Sequence, residues 1–149
     1  MKDIDRTSFQ LGMINCFAEM VAAGVKRLAI SPPLTPEDYE EIRDASDEIV
    51  EGSGIRSFLE TSLLITDLQS PEFTLGKWSV LYFKEPETLD AYLDLKERKE
   101  ALEAAEKYTR EAREDISRAF MRLLSYPEDT IAGKLRAEGG DDPYMHTKA

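Results

Sequence analysis

Histidine is almost missing from this chain: His146 is the only one among 149 residues, and it sits in the polar, glycine-containing stretch "AEGGDDPYMHTKA". Ser-His-Asp and Cys-His arrangements therefore have no base, and zinc or di-iron sites of the imidazole kind have no imidazole. Any catalysis would have to run on carboxylates, Lys, Tyr, Ser or Thr. Cysteine is as scarce, with Cys16 alone in "LGMINCFAEM". One cysteine cannot form a disulfide framework within a chain, so a cytoplasmic location is expected. Its apolar neighbours predict a buried small side chain rather than a reactive thiol.

No apolar run approaches the roughly 20 residues that a spanning helix needs, and "MKDIDRTSFQ" carries acids without the apolar core of a signal peptide or anchor. Bases are short as well: 19 against 30 acids give a net charge of −11. Such a surface repels phosphate backbones and anionic headgroups, which argues against nucleic-acid and membrane partners. Amides are few, Asn15 with Gln10 and Gln69, while 33% of residues are charged, a balance associated with thermophilic proteins. Neither a Walker-type phosphate loop nor GxGxxG occurs, "EGSGI" being two glycines and nothing more.

What is present reads as one globular domain over 1–136, followed by a disordered tail at 137–149. From Ser8 to Ala23 the residues Phe9, Met13, Cys16, Phe17 and Met20 share one helical face and Leu11, Ile14, Ala18 and Val21 a second, predicting a helix covered on most sides. Gly24 offers a left-handed stop, and "VKRLAIS" reads as a short buried strand. The next helix has the clearest local signals: Thr35 as N-cap, Pro36 at its first position, early acids, and Gly52 with Gly54 as its stop. Its inner stripe is Tyr39, Ile42, Ala45 and Ile49. "IRSFLETSLLITD" fits either helix or strand, and the compact "LLIT" favours a strand ending near Thr66. "GKWSVLYFK" is a firmer strand, bounded by Gly76 and Pro86. A last short helix is expected over "EDTIAGKLR".

From Glu87 to Tyr126 there is neither Gly nor Pro. One helix of that length would span about 60 Å, whereas a domain of this size has a diameter near 40 Å. Either it breaks, with a bend near Lys107 folding its end back onto Phe9, Met13 and Phe17, or it projects. Leu95, Leu102, Thr109, Ile116 and Leu123 recur every seven residues, with Arg98, Ala105, Ala112 and Ala119 on the adjoining line. That seam suits close helix pairing and predicts a homodimer formed through the 87–125 helix. The fold expected is α+β, mostly helical, a small sheet covered by helices with a long C-terminal helix; an all-α bundle is the alternative.

Two constellations could carry chemistry. Glu40, Glu41, Asp44 and Glu48 lie among the acids crowding residues 37–51, with Arg43 as the only base. Carboxylates at i, i+3 and i+4 can hold Mg²⁺ from one face. The same Glu-x-x-Glu spacing recurs at 97/100, 100/103 and 103/106, as in any acid-rich helical chain, so a solvated face weighs more. In an open α/β sheet, the crevice beyond the strand ends would bring Ser31 near Thr66 and Asp67, with Asp67 as acid or base and the hydroxyls positioning a small-molecule ligand. Turn roles for Ser31 and Asp67 weigh more there too. The expected function is a soluble, cofactor-free homodimeric binding or regulatory module. The alternative is a small-molecule enzyme using Asp67, or Mg²⁺ on the 37–51 acids.

Overall fold

The protein's structure, a computed structural model, describes residues 3–68 and 71–136; the tail expected at 137–149 lies outside them. Its centre is a three-stranded antiparallel sheet in the order β1–β3–β2, formed by β1 (Leu28–Ile30), β2 (Arg56–Glu60) and β3 (Ser79–Phe83). Both outer strands run opposite to β3, so β1 and β2 are parallel to each other, joined by a crossover through α2 (Pro36–Ser53). All five residues of β3 are buried because helices cover both faces. Side chains alternate across a strand, and here the alternation separates two cores. Leu28, Ile30, Leu81 and Phe83 point to one, with α4 (Pro86–Ala104), α5 (Arg110–Leu123) and α6 (Glu128–Arg136). Ala29, Val80 and Tyr82 point to the other, with α1 (Arg6–Ala22) and α2. A mostly helical α+β fold is what the residues predict, and among the described residues no helix is long and apolar enough to cross a membrane.

Local chemistry sets α2 as expected. Thr35 Oγ1 accepts the Asp38 amide at 3.1 Å, Pro36 occupies the first turn, and Gly54 closes the helix at φ 68°. In α1, Asp5 caps the Ser8 amide at 2.8 Å and holds its carboxyl below the usual carboxylate range through that bond. The buried line is Gln10, Ile14, Ala18 and Val21, which is the second of the two predicted faces. Cys16 is exposed, contrary to the buried site expected for it. Ser46 and Tyr82 share a buried hydrogen bond of 2.9 Å between α2 and β3, while the side-chain oxygen of Gln10 is buried with no partner among the described residues.

Two expectations are corrected. The second strand is Arg56–Glu60, not "LLIT": strand identity is decided by pairing along β3, and Leu63, Leu64 and Thr66 are instead buried in a loop, with Ile65 half-buried. The long helix breaks at residues 105–109. Glu106 takes φ 56°, its amide bonds Glu103 O at 3.1 Å, and the Lys107 amide reaches back to Leu102 O at 2.8 Å. This is a Schellman stop with glutamate in the glycine position. Thr109, which the heptad reading placed on the seam, instead caps α5 by accepting the Ala112 amide at 3.2 Å. α4 and α5 therefore fold into a hairpin, and the seam closes inside the chain: Leu95, Ile116 and Leu123 are buried, and Leu102 packs against the same core. The bend falls where the break was expected, but α5 returns onto the sheet and α4 rather than onto Phe9, Met13 and Phe17.

The orphan oxygen makes a direct prediction. Gln10→Leu removes an unpaired buried acceptor, so it should stabilise the fold by about 1 kcal/mol, a rise of roughly 2–4 °C in the thermal melt of a chain this size. The break makes another. A left-handed non-glycine residue costs roughly 1–2 kcal/mol, of which glycine's extra unfolded entropy returns about 0.5–1. Glu106→Gly should therefore be neutral to stabilising in urea melts, whereas a continuous helix would lose about 1 kcal/mol.

Candidate functional site

The richest polar assembly lies where residues 61–68 leave β2 and pass beneath α4 and α5. A buried loop must find partners for its main chain, and here side chains supply them. Glu60 Oε1 accepts the Ser62 amide at 2.9 Å, Tyr92 Oη accepts the Leu64 amide at 3.0 Å, and Lys99 Nζ donates to Ile65 O at 2.9 Å. Thr66 Oγ1 accepts the Leu68 amide at 3.2 Å, and Ser117 Oγ accepts the Asp67 amide at 3.0 Å.

Two charged centres anchor the loop's ends. Glu60 is 4% exposed, and its Oε2 accepts from Tyr92 Oη at 2.7 Å and Lys96 Nζ at 2.9 Å. Burial pushes the Tyr92 phenol well above its ordinary value, and the bond it gives to Glu60 pushes the same way. At the other end, Asp67 Oδ2 accepts from Ser117 Oγ at 2.9 Å and Oδ1 lies 3.3 Å from Arg113 Nε. Lys99 Nζ stands 5.6 Å from the Tyr108 ring centre, and burial followed by the nearby Asp67 charge raises the Tyr108 phenol.

Thr66 and Asp67 are thus neighbours, and both shape the loop. Ser31 is not brought to them. It is fully buried, its amide bonds Val80 O at 2.9 Å, and its hydroxyl accepts the Val80 amide at 2.9 Å and donates to Pro32 O at 3.1 Å. The hydroxyl carries the β1–β3 ladder past the end of β1, where Pro32 and Pro33 stand opposite Ser79 alone before Leu34 pairs with Trp78. The 37–51 acids spread over solvent. Glu40 and Asp44 flank Arg43 at 3.2 and 3.7 Å, Glu41 accepts from Thr7 Oγ1 at 3.2 Å, and Glu48 is exposed. Among the described residues no group of three or more His, Cys, Asp or Glu is placed to hold a metal ion.

The partners of Asp67 and Glu60 escaped the sequence reading. Tyr92, Lys96 and Lys99, and likewise Arg113 and Ser117, follow i, i+3 and i+4 spacing and so share a helix face. That spacing was legible, but nothing local said that a loop would pass under it.

A second feature is apolar. Phe9, Met13 and Met20 are half-buried and Cys16 exposed, and among the described residues none of the four belongs to either core. They form a line turned roughly 130° from the buried Ile14 line at 100° per residue. Nine of eighteen residues in α2, nine of nineteen in α4 and seven of fourteen in α5 are charged, against two of seventeen in α1, which makes α1 the neutral strip of an acidic chain.

Comparison with known families finds no family model that matches the chain, and comparison with curated proteins and with solved structures finds no match.

The two buried phenols give a pH dependence with a definite sign. Tyr82 and Tyr92 are both raised from 10.0, chiefly by burial, so the folded state favours their neutral form. Their contribution is complete below pH 10, the unfolded value, and is lost as pH rises above it. Denaturant midpoints from pH 9 to 11.5 should fall. Tyr92→Phe should cost about 1–3 kcal/mol at neutral pH, because it strands the Leu64 amide and removes one of the two bonds to Glu60 Oε2, and should flatten the alkaline fall.

Proposed function

We propose that this protein is a soluble cytoplasmic binding or regulatory module that acts as a homodimer, with α1 as its contact surface in place of the 87–125 seam. One observation carries the reading: the outer line of α1 is apolar and almost uncharged in a chain of net charge −11, and its half-buried Phe9, Met13 and Met20 belong to neither core among the described residues. A helix hydrophobic on two sides is normally buried on two sides. The α4–α5 seam has its partner within the chain, while the outer line of α1 packs on neither core among the described residues. The loop assembly supports the same reading from the other direction. Both Asp67 oxygens and Oε2 of Glu60 are engaged by side chains of α4 and α5, so these carboxylates act as clamps.

Light scattering on a sizing column across a hundredfold range of concentration tests the proposal. The expected mass rises toward two chains with concentration and falls toward 16.9 kDa on dilution. A mass of one chain throughout would remove the homodimer.

A further inference from the structure

We propose that Lys26, Arg27 and Lys134, gathered around the C-terminal end of α5, bind a small phosphate-bearing molecule that carries at least two negative charges. The site does not depend on the homodimer, so a mass of one chain would leave it standing.

The consecutive residues Leu124, Ser125 and Tyr126 are each tied to one base. Lys26 Nζ donates to Leu124 O at 2.8 Å, the Arg27 amide donates to Ser125 Oγ at 3.0 Å, and Lys134 Nζ stands 5.5 Å from the centre of the Tyr126 ring. Lys26 Nζ stands 5.8 Å from the same centre, so the turn leaving α1 and the last turn of α6 bring two ammoniums to one aromatic ring. Lys84 follows Phe83, the register partner of Leu28, and donates to Ala22 O at 3.5 Å, which adds a fourth base at this end of the sheet.

No acid accompanies them. Among the described residues Lys26, Arg27, Lys84 and Lys134 enter no ion pair, whereas seven other bases do, in a chain of 30 acids and 19 bases. The acids that open α6 are engaged elsewhere: Glu128 bonds Arg122 at 2.6 Å, and Asp129 accepts the Thr130 amide at 2.9 Å. Capping α5 uses one of the three N–H groups of Lys26 and leaves two. The last turn of α6 suits Lys134 by itself, but that does not account for a second base on the same ring. Lys26 is half-buried, and burial with no carboxylate beside it lowers its pKa. A desolvated cation without a counter-ion costs free energy that a bound anion returns. The net charge of −11 sets the size of that anion. Charges more than about 8 Å apart are largely screened at physiological ionic strength, so a small ligand meets the bases of this corner, while a nucleic acid or membrane surface meets the acids of the whole chain. Arginine's planar fork and lysine's ammonium both suit phosphate oxygens, and three such groups match a multiply charged phosphate better than a single carboxylate.

Amide chemical shifts of isotope-labelled protein, followed while pyrophosphate replaces chloride at constant ionic strength, test the site. The expected result is a set of saturable shifts centred on Arg27, Ser125, Tyr126 and Lys134, with acetate at the same ionic strength producing none. Arg27→Gln keeps the main-chain bond to Ser125, and Lys134→Gln removes no hydrogen bond found among the described residues, so both should fold like the parent. Each should weaken pyrophosphate binding about tenfold through the loss of one charge-assisted contact. Lys107→Gln, at the turn between α4 and α5, should leave binding unchanged. The absence of saturable shifts at this corner overturns the proposal. Shifts spread equally over Lys77, Lys99 and Lys107 would mean general screening and overturn it too, as would parent-like binding by both the Arg27 and the Lys134 variants. Co-sedimentation with phosphatidylglycerol vesicles would assign the bases to a membrane surface and overturn the small ligand.

Discussion

The burial of β3 on both faces is the constraint from which the remaining structure follows. A strand whose five residues are all inaccessible needs an apolar layer on each side and pairing along each edge. The chain meets this with α1 and α2 over Val80 and Tyr82, and with α4 to α6 over Leu81 and Phe83. The layers are also tied around the β1 side of the sheet. Lys26 Nζ, its ordinary pKa lowered by burial, donates to Leu124 O at 2.8 Å, and the Arg27 amide donates to Ser125 Oγ at 3.0 Å. The turn leaving α1 thereby caps the C-terminal end of α5.

How much of this was legible depended on whether the determining forces were local. The start and stop of α2 are written in Thr35, Pro36 and Gly54, each acting through its own backbone, and they read correctly. The density of apolar residues in "SVLYF" likewise identified the central strand. The second strand is a non-local outcome. Arg56–Glu60 looks weaker in isolation than "LLIT" and becomes a strand because β3 offers its edge. Helix ends divide the same way. Gly24, Gly54, Glu106 and Ser125 all adopt positive φ at a helix stop, with the following amide reaching back five residues in each case. Only the two glycines announce it; Glu106 stands at the turn between α4 and α5 and Ser125 at the turn between α5 and α6, positions set by tertiary packing rather than by residue type.

The expected Ser31, Thr66 and Asp67 site failed to assemble for a related reason. Joining them required the strand to run to Thr66, and the observed strand stops at Glu60, leaving both residues in a loop on the α4–α5 side. Ser31 belongs to the ladder with Val80. What the sequence could not show is how the loop keeps its main chain satisfied after leaving the sheet. Tyr92, Lys96, Lys99, Arg113 and Ser117 come from two helices and converge only once the hairpin has closed. The chain's acidity therefore has two fates, an outward spread along α2 and an inward use of Glu60 and Asp67 as acceptors.

The position of α1 closes the argument. Both apolar faces of this helix were visible in the sequence, but which one the fold would use was not, since periodicity ranks neither. The fold buries the Ile14 line, with Ala18 and Val21, in the core shared with Val80 and Tyr82, and leaves the line containing Phe9 and Met20 half-buried. The same helix bears the cost of Gly12 in its interior. With two charges among its seventeen residues, where about half of α2, α4 and α5 is charged, α1 is the least charged of the long helices of this acidic chain.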